Sequence, residues 1–271
     1  MFKKFIVQLG DKHFARTMNR LRYAYHVQLK GNMVYPKILE PLFLSIESEN
    51  LVAIDVGANV GIFSNFLSRN FKSCLSIEPM PSLANALRTS AILNMTVFEN
   101  AAGAKTQKIN ISVPVSKTGS LMYALSTASP SNKLDTFERA EILCINVEQD
   151  TIDNLASEQG KIGFIKIDVE GYENAVLVGS TEIIERDNPI FFIEIFPNYN
   201  SQYRFAFDFL TRRNYSAYRL TSLGLQILNE KDVEKIEADY RFWDGLSSMD
   251  YLFLPENFVQ TKKSLIVELT V

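Results

Sequence analysis

Histidine, cysteine and tryptophan are scarce in this chain of 271 residues, with two, two and one respectively. Two cysteines, Cys74 and Cys144, cannot build a disulfide framework; each sits in an apolar run and reads as a small buried residue of a reducing compartment. No Cys or His residues stand at metal-ligand spacing, so no metal is expected, and carboxylates at Asp168 and Glu170 are the one set that could hold a magnesium ion. No apolar run approaches the roughly 18 residues of a membrane span, and Met1 to Leu9 is too short and too charged for a signal peptide; a cytoplasmic protein is expected. A G-x-x-x-x-G-K-[ST] phosphate loop, a G-x-S-x-G elbow, internal repeats and low-complexity tracts are all missing. An excess of positive charge is missing too: the net charge is −3, which argues against nucleic acid as a partner.

That charge is unevenly spread. Residues 1–30 carry seven Lys or Arg against Asp11 alone, a net +6, which leaves −9 on the remainder. Phe14, Met18, Leu21 and Tyr25 draw an apolar stripe along this basic segment at helical spacing. The plain reading is a helix that packs its stripe on the domain and solvates its charges; peripheral contact with a membrane surface is the alternative. Both histidines, His13 and His26, fall here and read as surface residues. The expected organisation is therefore a helical extension over 1–34 and one catalytic domain over 35–271, where a hydrophobic content of 46% suffices for a large core.

The densest signal lies at residues 51–79. Leu51 to Ile54 is an apolar run ending in Asp55, followed by Gly57, Ala58, Asn59, Val60 and Gly61, then by Ile62, Phe63, Phe66 and Leu67 at helical period. This is the pattern of a buried parallel strand, a tight turn and a helix N-terminus. Glycines at 57 and 61 would let backbone approach a ligand closely. Glu78, closing a second strand-like run, follows Asp55 by 23 residues, near the roughly 20-residue spacing at which an acid meets a ribose hydroxyl.

Further along, the segment 82–94 reads as a helix and 95–98 as a third strand, ending in the turn Glu99-Asn100-Ala101-Ala102-Gly103. Residues 105–148 change to short alternating runs, read as a β-hairpin excursion with a polar loop through Gly119 and Ser120. Thr151 or Asp150 caps a short helix. Residues 162–167 form an apolar strand interrupted only by Gly163 and Lys166, and it ends in Asp168-Val169-Glu170-Gly171-Tyr172-Glu173. Three acids in six positions at a strand end mark a cleft mouth. Asp168 and Glu170 are the candidate catalytic acids, whereas Glu173 opens the next helix, 173–185, and is assigned to structure. A fifth strand, PIFFIEIF, carries one acid, Glu194, whose burial is costly unless it faces a polar cleft. Strands alternating with helices predict a doubly wound, mainly parallel sheet.

The blocks Asp55-Val56-Gly57-Ala58-Asn59-Val60-Gly61, Ile77-Glu78-Pro79 and Ile165-Lys166-Ile167-Asp168-Val169-Glu170-Gly171-Tyr172-Glu173 resemble the FkbM family of class I S-adenosylmethionine methyltransferases. The resemblance covers roughly residues 35–257 and implies a Rossmann-like, seven-stranded sheet whose last strand is antiparallel. It implies S-adenosylmethionine as cofactor, with Asp55, Gly57, Ala58, Asn59 and Gly61 near the methionine portion, Glu78 at the ribose, Asn100, Ala101 and Ala102 beside the adenine, and Asp168 at the methionine end. It further implies O-methylation of a sugar, glycan or small-metabolite hydroxyl, with Asp168 or Glu170 as base and with Ser120 and Glu194 toward the substrate. Two other functions fit parts of the pattern. A nicotinamide oxidoreductase would also use Glu78, but G-x-x-x-G stands where G-x-G-x-x-G is needed; a non-catalytic methyltransferase-like module would not need the turn and ribose residues retained here.

Overall fold

The computed structural model describes residues 34–271 except 91, 120, 131, 133, 135–138, 198, 222 and 240–248. The expected extension over 1–34 thus falls almost wholly outside the described residues, as do His13 and His26. In chain order the elements begin with α1 (Val34–Ser45), β1 (Val52–Val56), α2 (Ile62–Asn70), β2 (Ser73–Ile77), α3 (Pro81–Arg88), β3 (Met95–Phe98) and β4 (Ala101–Ala102). Then come β5 (Gln107–Ser116), β6 (Arg139–Asp150), α4 (Ile152–Leu155), β7 (Ile162–Ile167), α5 (Glu173–Val178), α6 (Thr181–Asp187) and β8 (Ile190–Glu194). The chain closes with α7 (Arg204–Thr211), β9 (Tyr215–Leu220), β10 (Leu225–Ile227), α8 (Glu230–Asp239), β11 (Asp250–Pro255), α9 (Glu256–Thr261) and α10 (Lys263–Leu269).

One mixed, mainly parallel sheet runs β10-β9-β11-β8-β7-β1-β2-β3. Among the described residues it has eight strands, not the seven expected. The eighth is β10, three residues that turn back antiparallel on β9 with Leu225 opposite Leu220. So short a strand carries no periodicity of its own. The antiparallel β11 enters between β8 and β9, as the resemblance implies.

Alternation along the strands builds two cores, because successive side chains point to opposite faces. Ile54, Ile165, Ile167, Phe191 and Ile193 join a mixed aliphatic and aromatic cluster on one face. Ala53, Cys74, Phe164 and Phe192 join an aromatic one on the other, where Phe43 meets Phe164 edge-on at 4.9 Å and Phe63 stacks on Phe192 at 5.5 Å between ring centroids. Burial on both faces is why these strands read as unbroken apolar runs.

The strands β4, β5 and β6 form a second sheet, in the order β4-β6-β5. The expected hairpin is there, Ile111 opposite Ile145, and β4 adds a third strand parallel to β6. Its inner side, Ala101, Ile111, Val113 and Val147, packs with Met80, whereas Cys144 is exposed. The expectation of two buried cysteines therefore holds for Cys74 alone, since alternation turns Cys144 outward. Helices are shorter than periodicity suggests. α3 stops at Arg88, and the helix expected over 173–185 breaks at Gly179 into α5 and α6. Thr151 caps α4 through an acceptor bond from Asn154 N at 3.0 Å, as its position predicts.

Candidate active site

β1 pairs with β2 on one side and β7 on the other, so the sheet's direction of winding reverses between β1 and β7. Ligands of such sheets bind beyond the carboxyl ends of the strands at that reversal. A hollow of about 260 Å³ opens there.

The turn after β1 forms one wall. Gly57 and Ala58 amides donate to the Ile77 carbonyl at 3.0 and 3.1 Å, which pins the turn to β2. Gly57 has φ +75°, and a Cβ there would lie 1.9 Å from the Asp168 carbonyl oxygen; at Gly61, φ +82°, it would lie 2.5 Å from Leu87. The glycines were expected to admit a ligand. Their demonstrable task is to let two strand ends and two helices of this chain approach one another. Gly57 and Asn59 line the hollow, while Gly61 and the buried Ala58 do not.

Asp55 also stands apart from the hollow. Fully buried, it accepts a hydrogen bond from Ser64 Oγ at 2.5 Å, and Ser76 Oγ donates to Ser64 in turn. Its second oxygen has no hydrogen bond but lies 3.4 Å from Lys166 Nζ. Lys166 is opposite Asp55 in the sheet register. The same ammonium reaches Asp168 Oδ2 at 3.0 Å and donates to the Gly57 carbonyl at 3.4 Å. Burial alone would depress its pKa, but Asp168 first and Asp55 next outweigh burial and raise it. The lysine is thus a permanent cation tying β1 to β7, and removing it would leave uncompensated buried charge. Sequence reasoning noticed only that a charge interrupts an apolar strand. Such an interruption signals a buried partner, and that signal could have named Lys166.

Glu78 ends β2 at the rim. Its two oxygens accept from the amides of Asn59 and Met80, each at 2.8 Å, and each retains a second lone pair. Burial pushes its pKa up to about 7, partly opposed by those two amides. Asn100, Ala101 and Ala102 line the same side.

Across the hollow stand Asp168 and Glu170 after β7 and Glu194 at the end of β8. One carboxylate oxygen from each can be chosen so that all three lie within 4.8 Å of one another, a spacing a hard divalent cation could bridge. Burial, then the charges of Asp168 and Glu173, push Glu170 up to about 8. Glu194 lines the hollow and is ringed by carboxylates, and Asp168 above all raises its pKa, with burial second. Like charges this close ionise together only where cations offset them, and Lys166 offers one beside Asp168.

The fourth wall went unread in the sequence. Tyr123, Ser126 and Ala128, from the connection between β5 and β6, line the hollow, as does Tyr172, whose hydroxyl donates to Gln149 Oε1 at 3.0 Å. Nothing in their spacing marks them. Ser120, expected toward the substrate from the same connection, lies outside the described residues. Asp55 and Glu173 apart, the strand-end acids foreseen in the sequence do converge on one hollow.

A family model described as the methyltransferase FkbM domain matches residues 55–217. No curated protein matches the chain. Among solved structures the chain is similar to a methyltransferase FkbM from Methylobacillus flagellatus KT, at 15% identity and a TM-score of 0.45, over 76% of this chain and 44% of that one. It is also similar to a precorrin-6y C5,15-methyltransferase from Geobacter metallireducens GS-15, at 9% identity and a TM-score of 0.34, over 78% of this chain and 84% of that one. This chain therefore spans less than half the length of the Methylobacillus protein, and likenesses this loose carry no functional weight.

Proposed function

The chain belongs to the FkbM methyltransferase family, and from that premise we propose that the hollow binds S-adenosylmethionine and directs its methyl group to a neutral hydroxyl of a sugar, glycan or small metabolite. One observation supports this most: carboxylates enter the hollow from the ends of β2, β7 and β8, and no lysine or arginine lines it among the described residues. Such a wall suits a ligand bearing positive charge and disfavours anionic acceptors.

Held there by Glu78 and the 100–102 segment, S-adenosylmethionine would supply a methyl carbon already activated by its sulfonium, the sulfur keeping the electron pair of the carbon–sulfur bond as the carbon–oxygen bond forms. The chain must then hold the acceptor in line, exclude water and take the hydroxyl proton. Glu78 offers its free lone pairs to the ribose hydroxyls, and Asn100 to Ala102 border the base. Asp168, paired with Lys166 at 3.0 Å, lies where it stabilises positive charge beside it. Glu170, pushed up to about 8, is the better proton acceptor, because a base works best when its pKa lies near the working pH. Tyr123 and the acids of β7 and β8 suit a hydroxyl-rich acceptor, which donates to carboxylates and rests on aromatic faces.

Incubation of the protein with methyl-labelled S-adenosylmethionine and extract of the source cells tests the proposal. A labelled product whose mass identifies an added methyl on a hydroxyl compound is expected, with Glu170→Gln slowing transfer by about a hundredfold or more. No transfer at all, or label on an anionic acceptor, would contradict it.

A further inference from the structure

Glu170 is held in an unusual way. Its backbone lies in the left-handed region at φ +53°, followed by Gly171 at φ +101°. A non-glycine residue keeps that conformation only where its surroundings impose it. Here they do so from three sides. Gly171 N donates to Glu173 Oε1 at 2.7 Å, and Asn200 Nδ2 donates to Glu173 Oε2 at 2.9 Å. The Tyr199 carbonyl leans so close that a Cβ on Gly171 would stand 2.2 Å from it.

The third side is the connection between β5 and β6. Thr127 Oγ1 and Asn132 Nδ2 both donate to the Glu170 carbonyl, at 2.7 and 2.9 Å. Together they use both of its lone pairs. Both side chains are buried, and each is itself held: Thr127 Oγ1 accepts from Ser129 N at 2.9 Å, and Asn132 Oδ1 accepts from Leu134 N at 3.0 Å. The backbone of Thr127 is in turn bridged to Ser112 of β5 by two hydrogen bonds. A peptide plane so clamped fixes the direction in which the Glu170 side chain leaves the chain.

We infer that Thr127 and Asn132 are positioning residues, which hold the Glu170 carboxylate against Asp168 and Glu194 for proton transfer and have no part in holding the cofactor. This rests on the proposed methyl transfer with Glu170 as base. It also links the acceptor wall to the base, since the connection that carries Tyr123 and Ser126 into the hollow carries Thr127 and Asn132 to Glu170.

The test uses near-isosteric variants, Thr127→Val and Asn132→Asp, each of which deletes a donor to Glu170, with Thr127→Ser as the conservative rescue. Labelled methyl transfer into extract is measured at saturating S-adenosylmethionine, and binding of S-adenosylhomocysteine by calorimetry on the same preparations. We expect transfer to fall by about tenfold or more in Thr127→Val and Asn132→Asp, with the Kd for S-adenosylhomocysteine within about threefold of wild type, and Thr127→Ser to recover most of the rate. Transfer within about threefold of wild type in both deletions would overturn the inference, as would parallel loss of transfer and cofactor affinity, which marks a merely structural role. Wild-type protein that binds S-adenosylhomocysteine yet transfers nothing would overturn the proposed function, and this inference with it.

Discussion

Two turns close the hollow, and they are secured in opposite ways. The turn after β1 is fixed by near neighbours: Gly57 and Ala58 lean on Ile77, Asn59 on Glu78, and Gly61 on Ala58. The turn after β7 is fixed from afar, by Thr127 and Asn132 across about forty residues and by Asn200 through Glu173. One side of the site is a βαβ unit held mainly by its own hydrogen bonds, with one further bond from Lys166 of β7 to the Gly57 carbonyl. The other exists only once the second sheet and the segment after β8 have docked on it. Acceptor handling should therefore vary with those additions while cofactor binding does not, as is expected when function lies in loops carried by a rigid frame.

The sharpest way to break this contrast is a methyl on each turn. Gly57→Ala drives a Cβ into the Asp168 carbonyl, and we expect it to cost about 3 kcal/mol or more and to abolish cofactor binding. Gly171→Ala meets the Tyr199 carbonyl instead and should destabilise comparably, yet leave the affinity for S-adenosylhomocysteine within about tenfold while transfer is lost. Denaturant titration and calorimetry read both outcomes. Cofactor affinity lost equally in the two variants would show that the turns are not independent.

A smaller effect separates the two buried glutamates. Glu173→Ala leaves the Gly171 amide and the Asn200 side chain without an acceptor, and a stability loss of about 2–3 kcal/mol is expected, with cofactor affinity kept. Glu78→Ala should weaken S-adenosylhomocysteine by about tenfold to a hundredfold while costing less stability, because its site faces the hollow, where water can reach the freed amides.

The smallest effect is on pH. Glu78 and Glu173 are pushed up to about 7 and Glu170 to about 8, so the folded chain binds these protons more tightly than the unfolded one. Their contribution to stability is greatest below the ordinary carboxylate range and is lost as pH rises through 7 and 8. The melting temperature of the free protein should fall over that window, and Glu170→Gln or Glu173→Gln should flatten the fall. Transfer runs the other way: if Glu170 is the base, the rate rises as pH passes upward through about 8.

How much of this the sequence disclosed follows the same division. β1, its glycine turn and Glu78 were legible because strand, turn and acid are neighbours whose spacing alone places them. Asp168 and Glu170 were legible as acids at a strand end, but the latch around them was not, since Thr127 and Asn132 meet Glu170 only through tertiary docking. Asp55 was placed at the right strand end and read as a ligand neighbour, whereas Ser64 and Lys166 engage it beneath the turn. Local pattern could flag Lys166 as a buried charge but could not pair it, or Ser64, with Asp55. The seven-strand expectation missed β10 because three residues carry too little alternation to register. Cys144 was misread for the reason that one face of the second sheet is open while both faces of the first are covered.

The account depends most on what the hollow binds. Calorimetric titration of the full chain with S-adenosylmethionine, S-adenosylhomocysteine and NAD, repeated on Glu78→Ala, tests this directly. It predicts saturable binding of both sulfur nucleosides, weakened about tenfold or more in the variant, and none of NAD. Heat from NAD alone, or S-adenosylmethionine binding indifferent to the loss of Glu78, would contradict it.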